Sequence, residues 1–273
     1  MKKIIVLTDF SEQSGFALKA AADLAKKHKV ELLVVHMLEL NQAMISSPEG
    51  IYIEQTVFLV KLAEKNLKEF LNKPFLEGLT VTPIIKHYKV YSELDAIAEE
   101  HEADLIVMGS NGASGFEEIL IGSNAEKVVR NSTTPVLVIK GEVAEFNINR
   151  FVFACDFNDD NLPAFQKAKE FSELVNAKME LVFINTPNDE FLSNRDAYQK
   201  INKFLTKANA GQQVEIYNDY SVEQGILNYG NTILADAIAM PTHGRKGLSH
   251  FFNGSIGEDV VNHSRIPVIT FKI

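Results

Sequence analysis

At 273 residues the chain is long enough for two domains of roughly 100–200 residues each. Its 46% hydrophobic and 23% charged side chains are those of an ordinary globular protein, with no apolar run able to span a bilayer. A formal net charge of −9 argues against nucleic acid or an anionic membrane as the main partner, since counterion release needs a basic patch.

The opening residues carry two lysines, but the apolar run stops after four residues at Thr8-Asp9 and no small-residue cleavage site follows. It therefore reads as a mature strand and not as a signal peptide, which predicts a cytoplasmic protein. The β-branched run 3–8 leads through Asp9-Phe10 into a helical pattern over 11–29, and 31–37 is a nearly continuous apolar run of strand length. Residues 41–56 read as a long loop, either a lid or a partner-binding strip. An amphipathic helix follows, with Val57, Val60, Leu67 and Leu71 on or near one face. Residues 81–87 and 103–108 read as the third and fourth strands, a helix starts near Ser123, and a last strand follows Pro135.

The same order recurs. A strand at 150–155 contains the single cysteine, Cys155, which cannot form an intramolecular disulfide, fits a reducing compartment and reads as a buried packing group. Asp156-Phe157 leads to a helix over 161–176, a strand at 179–185, a helix near 197–208 and a strand at 214–217. Ser221 with Gln224 forms a capping box for the next helix. A strand at 235–240, a helix from about Ser255 and a strand after Pro267 close the series. Residues 103–140 align without a gap on 235–272 at an offset of 132, with fifteen identities in thirty-eight positions, so the chain is a duplication. The expected units are 1–141 (half one) and 149–273 (half two), each an α/β domain with a doubly wound, Rossmann-like parallel sheet. The apolar last strands of the two halves are expected to pair with each other, giving an internal pseudo-dimer.

The repeated stretch carries Gly109-x-x-Gly112 and, after nine residues, Gly122-Ser123; its counterpart is Pro241-x-x-Gly244, then Gly254-Ser255. Ligands of open α/β sheets bind beyond the carboxyl ends of the strands, where Asp9, Met37 and the Gly109 loop converge. Glycines with access to positive φ free backbone amides, and a helix opened by Gly-Ser adds unpaired N–H groups and the positive end of its dipole. That is a cradle for a phosphate chain, although turn geometry alone explains such glycines equally well. It is neither a Walker A loop, for want of Gly-Lys-Ser/Thr, nor the dinucleotide fingerprint, since its spacing differs and it follows the fourth strand.

Met108 through Gly112 and Ile121 through Val128 match G-x2-G-x9-G-S/T, the nucleotide motif of the universal stress protein family, and the whole chain resembles a tandem member of it. The resemblance implies an adenine-nucleotide α-hydrolase-like fold, ATP with associated magnesium as ligand, and protein partners. By position it sets Asp9 and Met37 beside adenine and ribose, Met37 mainly through its backbone. Gly109, Gly112, Gly122 and Ser123 would hold the phosphates, with Asn124 close by. Asp9 reads equally as a turn or helix cap; His36 and Asn185 read as satisfied core groups.

Each half departs from the pattern. Half one keeps every glycine but has Ala113-Ser114 where half two has Arg245-Lys246, and adds Glu117 and Glu118. Half two has Pro241 for the first glycine, which puts the turn and one donor in doubt, so it is expected to be empty or to bind something else. Two alternatives stand beside nucleotide binding: a ligand-free scaffold, and a slow ATP hydrolase, for which no general base is evident near the loop. No catalytic residue is assigned, and the scattered histidines, His243, His250 and His263 among them, match no standard metal site. A further homodimer remains open.

Overall fold

The computed structural model describes residues 1–38, 50–87, 92–110, 122–187, 191–242 and 256–273. Half one comprises β1 (Lys3–Thr8), α1 (Glu12–His28), β2 (Glu31–Leu38), α2 (Gly50–Phe70), a 3-10 turn (Pro74–Leu76), β3 (Val81–His87), α3 (Ser92–Glu100), β4 (Leu105–Gly109), α4 (Ser123–Asn131) and β5 (Val136–Ile139). Half two comprises β6 (Arg150–Ala154), a 3-10 turn (Asp159–Asn161), α5 (Leu162–Val175), β7 (Lys178–Asn185), α6 (Asn194–Lys207), β8 (Val214–Asn218), α7 (Val222–Thr232), β9 (Ala237–Thr242), α8 (Ile256–His263) and β10 (Val268–Lys272). α2 begins at Gly50, so residues 50–56 are helix and not the end of a long loop; residues 41–49 lie outside the described residues. The expected stripe also fails at its start: Leu67 is buried, but Val57 is 46% exposed beside the more exposed Phe58.

All ten strands form one sheet in the order β3-β2-β1-β4-β5-β10-β9-β6-β7-β8. Every pairing is parallel except β5 with β10, which is antiparallel and joins the halves as their apolar ends predict. Leu137 lies opposite Ile269, its own equivalent at the offset of 132, and Val136 and Val138 lie opposite Thr270 and Val268. The pseudo-twofold axis therefore passes through the Leu137–Ile269 pair.

Side chains of a strand alternate between faces, and both faces here are covered. Ile4 and Val6 pack into the core with residues of α1, α2, α5 and α6, whereas Ile5 and Leu7 pack with those of α3, α4, α7 and α8. This two-sided burial explains why the strands read as unbroken apolar runs. Alanines 17, 20, 21, 22 and 25 are all buried on α1, which allows its backbone to approach the sheet closely. Ser11 caps the helix by accepting from the Ser14 amide at 3.2 Å, and Lys29 ends it in the left-handed region. Ser221 accepts from the Gln224 amide at 3.2 Å, as the capping reading predicts.

Two lysines cross the pseudo-twofold axis. Lys140, after β5, donates to the carbonyls of Val261 and Asn262 at the end of α8. Lys272, its equivalent in β10, donates to the carbonyls of Arg130 (3.3 Å) and Asn131 (3.0 Å) at the end of α4. Helix C-termini carry partial negative charge, so each ammonium is attracted to a helix end of the other half, although at Lys140 the cost of burying the charge outweighs that attraction. Burial pushes Lys140 down from its ordinary 10.5 to about 8. Below pH 8 it is charged in folded and unfolded chains alike. Between about 8 and 10.5 the unfolded chain binds more protons, so the site's contribution to stability rises with pH. In urea unfolding, the stability of the wild-type chain relative to Lys140→Met should increase across that window; a flat or falling difference contradicts the assignment.

Candidate functional site

The order β3-β2-β1-β4-β5 reverses direction between β1 and β4, which opens a crevice beyond their carboxyl ends. Thr8 pairs with His36, and Val6 with Val107, so the ends of β1 at Thr8 and β4 at Gly109 lie level with His36, two residues before β2 ends at Leu38. With adjacent strands about 4.8 Å apart, Asp9, Met37 and the start of the glycine loop share a mouth about 10 Å wide.

At the end of β1 the chain turns through Phe10, held at φ 66°. The Phe10 amide donates to Thr8 Oγ1 at 2.9 Å, and its ring stacks on His36 with centroids 4.3 Å apart. His36 Nδ1 lies 2.9 Å from the Thr8 carbonyl, which makes it the satisfied core group its position suggests. Asp9 is exposed and accepts from the Ser11 amide (3.0 Å) and hydroxyl (2.5 Å), steadying the residue that caps α1. Its turn role is thus visible, and its exposed carboxylate stands at the mouth. Met37 is half-buried against the core under α3 and α4, opposite Lys86 in the sheet.

Gly109 is a glycine for a reason other than positive φ, which it does not adopt. A Cβ there would lie 2.8 Å from both the carbonyl carbon and oxygen of Gln13, so the first turn of α1 and the end of β4 approach too closely for any side chain. Gly122 donates its amide to the Ser110 carbonyl at 3.1 Å and accepts from the Glu126 amide at 3.0 Å, setting the start of α4 beside the end of β4. Among the described residues no side chain caps this helix start. The amides of its first turn, where Ser123 and Asn124 lie, meet the crevice with the positive end of the dipole. Gly112, Glu117 and Glu118 lie outside the described residues, as do His243, Gly244, Arg245, Lys246, His250, Gly254 and Ser255. Among the described residues no three His, Cys, Asp or Glu side chains group as a metal site would require.

Half two differs in ways its sequence only partly signals. Pro241 does not break the strand, since β9 runs through it to Thr242. The Ile238 amide donates to Pro267 beside β10, so by alternation the nitrogen of residue 241 faces β6, whose ladder has ended at Ala239. No sheet hydrogen bond is lost, and proline fits. Asp156, the equivalent of Asp9, is buried instead of exposed. It accepts from the Asn158 amide (2.9 Å), Asn158 Nδ2 (2.7 Å) and Asn161 Nδ2 (2.5 Å). Burial raises its carboxyl against the opposing pull of these bonds. The signal was present as the asparagines at 158 and 161, which stand where half one has Ser11 and Ser14. Asn185 exchanges hydrogen bonds with Leu192 and donates to Asn218, a satisfied core polar group. Cys155 is fully buried, and burial pushes its thiol up.

The glycine contacts generate a paired prediction. Gly109→Ala should destabilise the fold by about 1–3 kcal/mol, because backbone and not a flexible side chain meets the new carbon. Gly15→Ala, in α1 with open space around its Cβ position, should stabilise by about 1 kcal/mol through helix propensity. Equal effects in urea unfolding would show that position 109 has room.

Comparison with known proteins agrees with this architecture. The family model for universal stress proteins matches residues 1–140 and again 147–272. A universal stress protein of Methanocaldococcus jannaschii is 32% identical over 139 residues, covering 51% of this chain and 82% of its own length. One from Synechocystis is 23% identical over 293 residues and covers both chains completely. The crystal structure of a universal stress protein from Archaeoglobus fulgidus superposes with a TM-score of 0.70 at 24% identity, over 99% of this chain and 96% of that one, and so shares the fold. The duplicated sheet, its switch-point crevice and two complete family matches make this chain a tandem member of the universal stress protein family.

Proposed function

We propose that half one binds ATP or a related nucleotide, with magnesium accompanying the phosphates, and that the protein acts in the cytoplasm by altering its contacts with protein partners. The observation that carries this reading is the uncapped start of α4, tied to the end of β4 by the Gly122–Ser110 bond, at a mouth shared by Asp9 and Met37. Amides at a helix start, with the positive end of its dipole, suit phosphate oxygens, and they fit the group the motif implies. Gly122, Ser123 and Gly112 would hold the phosphates, with Asn124 beside them. Gly109 would contribute by letting α1 close onto β4. Asp9 would meet ribose or adenine, as would the backbone of Met37. We assign the units 1–141 and 149–273 different work. In half two, the buried Asp156 and the straight passage through Pro241 favour a ligand-free surface for partners.

Gly122 has φ −59°, a conformation open to any residue, so Gly122→Arg tests the site without forcing the backbone. Calorimetric titration of magnesium ATP into the wild-type chain should saturate near about one nucleotide per chain, and the variant should lose this heat. A folded wild-type chain giving no heat at about millimolar nucleotide overturns the reading in favour of a scaffold.

A further inference from the structure

We propose that Lys272 is a positioning residue for the nucleotide site of half one, supplied from half two across the pseudo-twofold axis; the proposal rests on the nucleotide reading above. α4 has nine residues and is about 13 Å long, shorter than a helix stable on its own. Its location is therefore fixed by the packing of Ala125, Val128 and Val129 into the core and by what holds its two ends. The N-terminal end opens at Gly122 without a side-chain cap and faces the crevice. At the other end Asp95 of α3 accepts from Ser132 Oγ (2.9 Å) and from the Thr133 amide (3.0 Å), an anchor within half one. The final carbonyls, of Arg130 and Asn131, are held by Lys272, which lies 142 and 141 positions away in sequence. A cation at this end offsets the negative pole of the dipole and leaves the positive pole at the crevice less compensated. Orientation and field at the phosphate end of half one thus depend on a residue of half two.

Lys140 provides an internal control, because it makes the mirror contact to the carbonyls of Val261 and Asn262 on α8. A loss of general stability would follow from either lysine, whereas a positional effect on half one belongs to Lys272 alone. Methionine preserves the length of the stem and removes the charge and donors.

The test uses the full chain as wild type, Lys272→Met, Lys140→Met and Lys272→Arg, with two readouts: amide hydrogen exchange over residues 123–131 and 256–263, and calorimetric affinity for magnesium ATP. In Lys272→Met, exchange should accelerate over 123–131 and stay at the wild-type rate over 256–263, with affinity about three- to tenfold weaker. Lys140→Met should show the opposite exchange pattern at wild-type affinity, and Lys272→Arg should retain both wild-type properties. Wild-type exchange over 123–131 in Lys272→Met overturns the proposal, as does an equal loss of affinity in both methionine variants. If the wild-type chain takes up no nucleotide, the nucleotide reading and the proposed role at the site fall together. The exchange pattern then still decides whether half two anchors α4.

Discussion

The antiparallel pairing of β5 with β10 is the constraint on which the rest of this structure depends. Either half alone would be an open sheet ending in an apolar strand of four or five residues with an unpaired row of backbone donors and acceptors. Pairing removes that edge from both halves at once and makes the core on each face continuous, with Leu137 and Ile269 facing one side and Val138 and Val268 the other. It also brings Lys140 and Lys272 within reach of helix ends in the opposite half. The remaining sheet edges are β3, interrupted by Pro83, and the short β8, both poor templates for adding strands.

Within this frame the halves keep the same turn and have separated at the mouth. Phe10 and Phe157 are both left-handed, at φ 66° and 54°, so the strained step after the first strand belongs to the fold and not to one site. What differs is the residue before each. Asp9 stays at the surface and steadies a helix cap. Asp156 is drawn inward by two asparagine side chains and one amide. A carboxylate whose lone pairs are already occupied in the interior has little left for a ligand, which separates the two mouths chemically even though the strand order is the same in both halves.

Much of the architecture was legible in the sequence because it rests on local periodicity. Continuous apolar runs imply strands covered on both faces, and an apolar strand at each sequence end implies a partner. Capping by Ser221 was readable from residue type and spacing. The start of α2 was not, because Gly50 and the β-branched residues after it carry weak helix propensity and the helix shows buried side chains only further along, at Ala63 and Leu67. The glycine pattern located the crevice but misled on its physics. Freedom of φ suggests itself for any glycine, whereas Gly109 is required by the proximity of Gln13, nearly a hundred positions away. Pro241 looked disruptive because sequence alone does not reveal which way a strand nitrogen points or where the neighbouring ladder stops. The crossing lysines leave no local pattern at all.

Duplication within one chain has a consequence for change that two identical subunits would lack. In a symmetric dimer every substitution appears twice, so a proline at the first glycine would alter both mouths together. Here Pro241 and the inward Asp156 occur once, while Gly109 and the outward Asp9 persist opposite them. Covalent linkage also fixes the effective concentration of the halves, so their contact survives dilution. One half can therefore surrender a mouth and remain obligatory as the structural partner of the other.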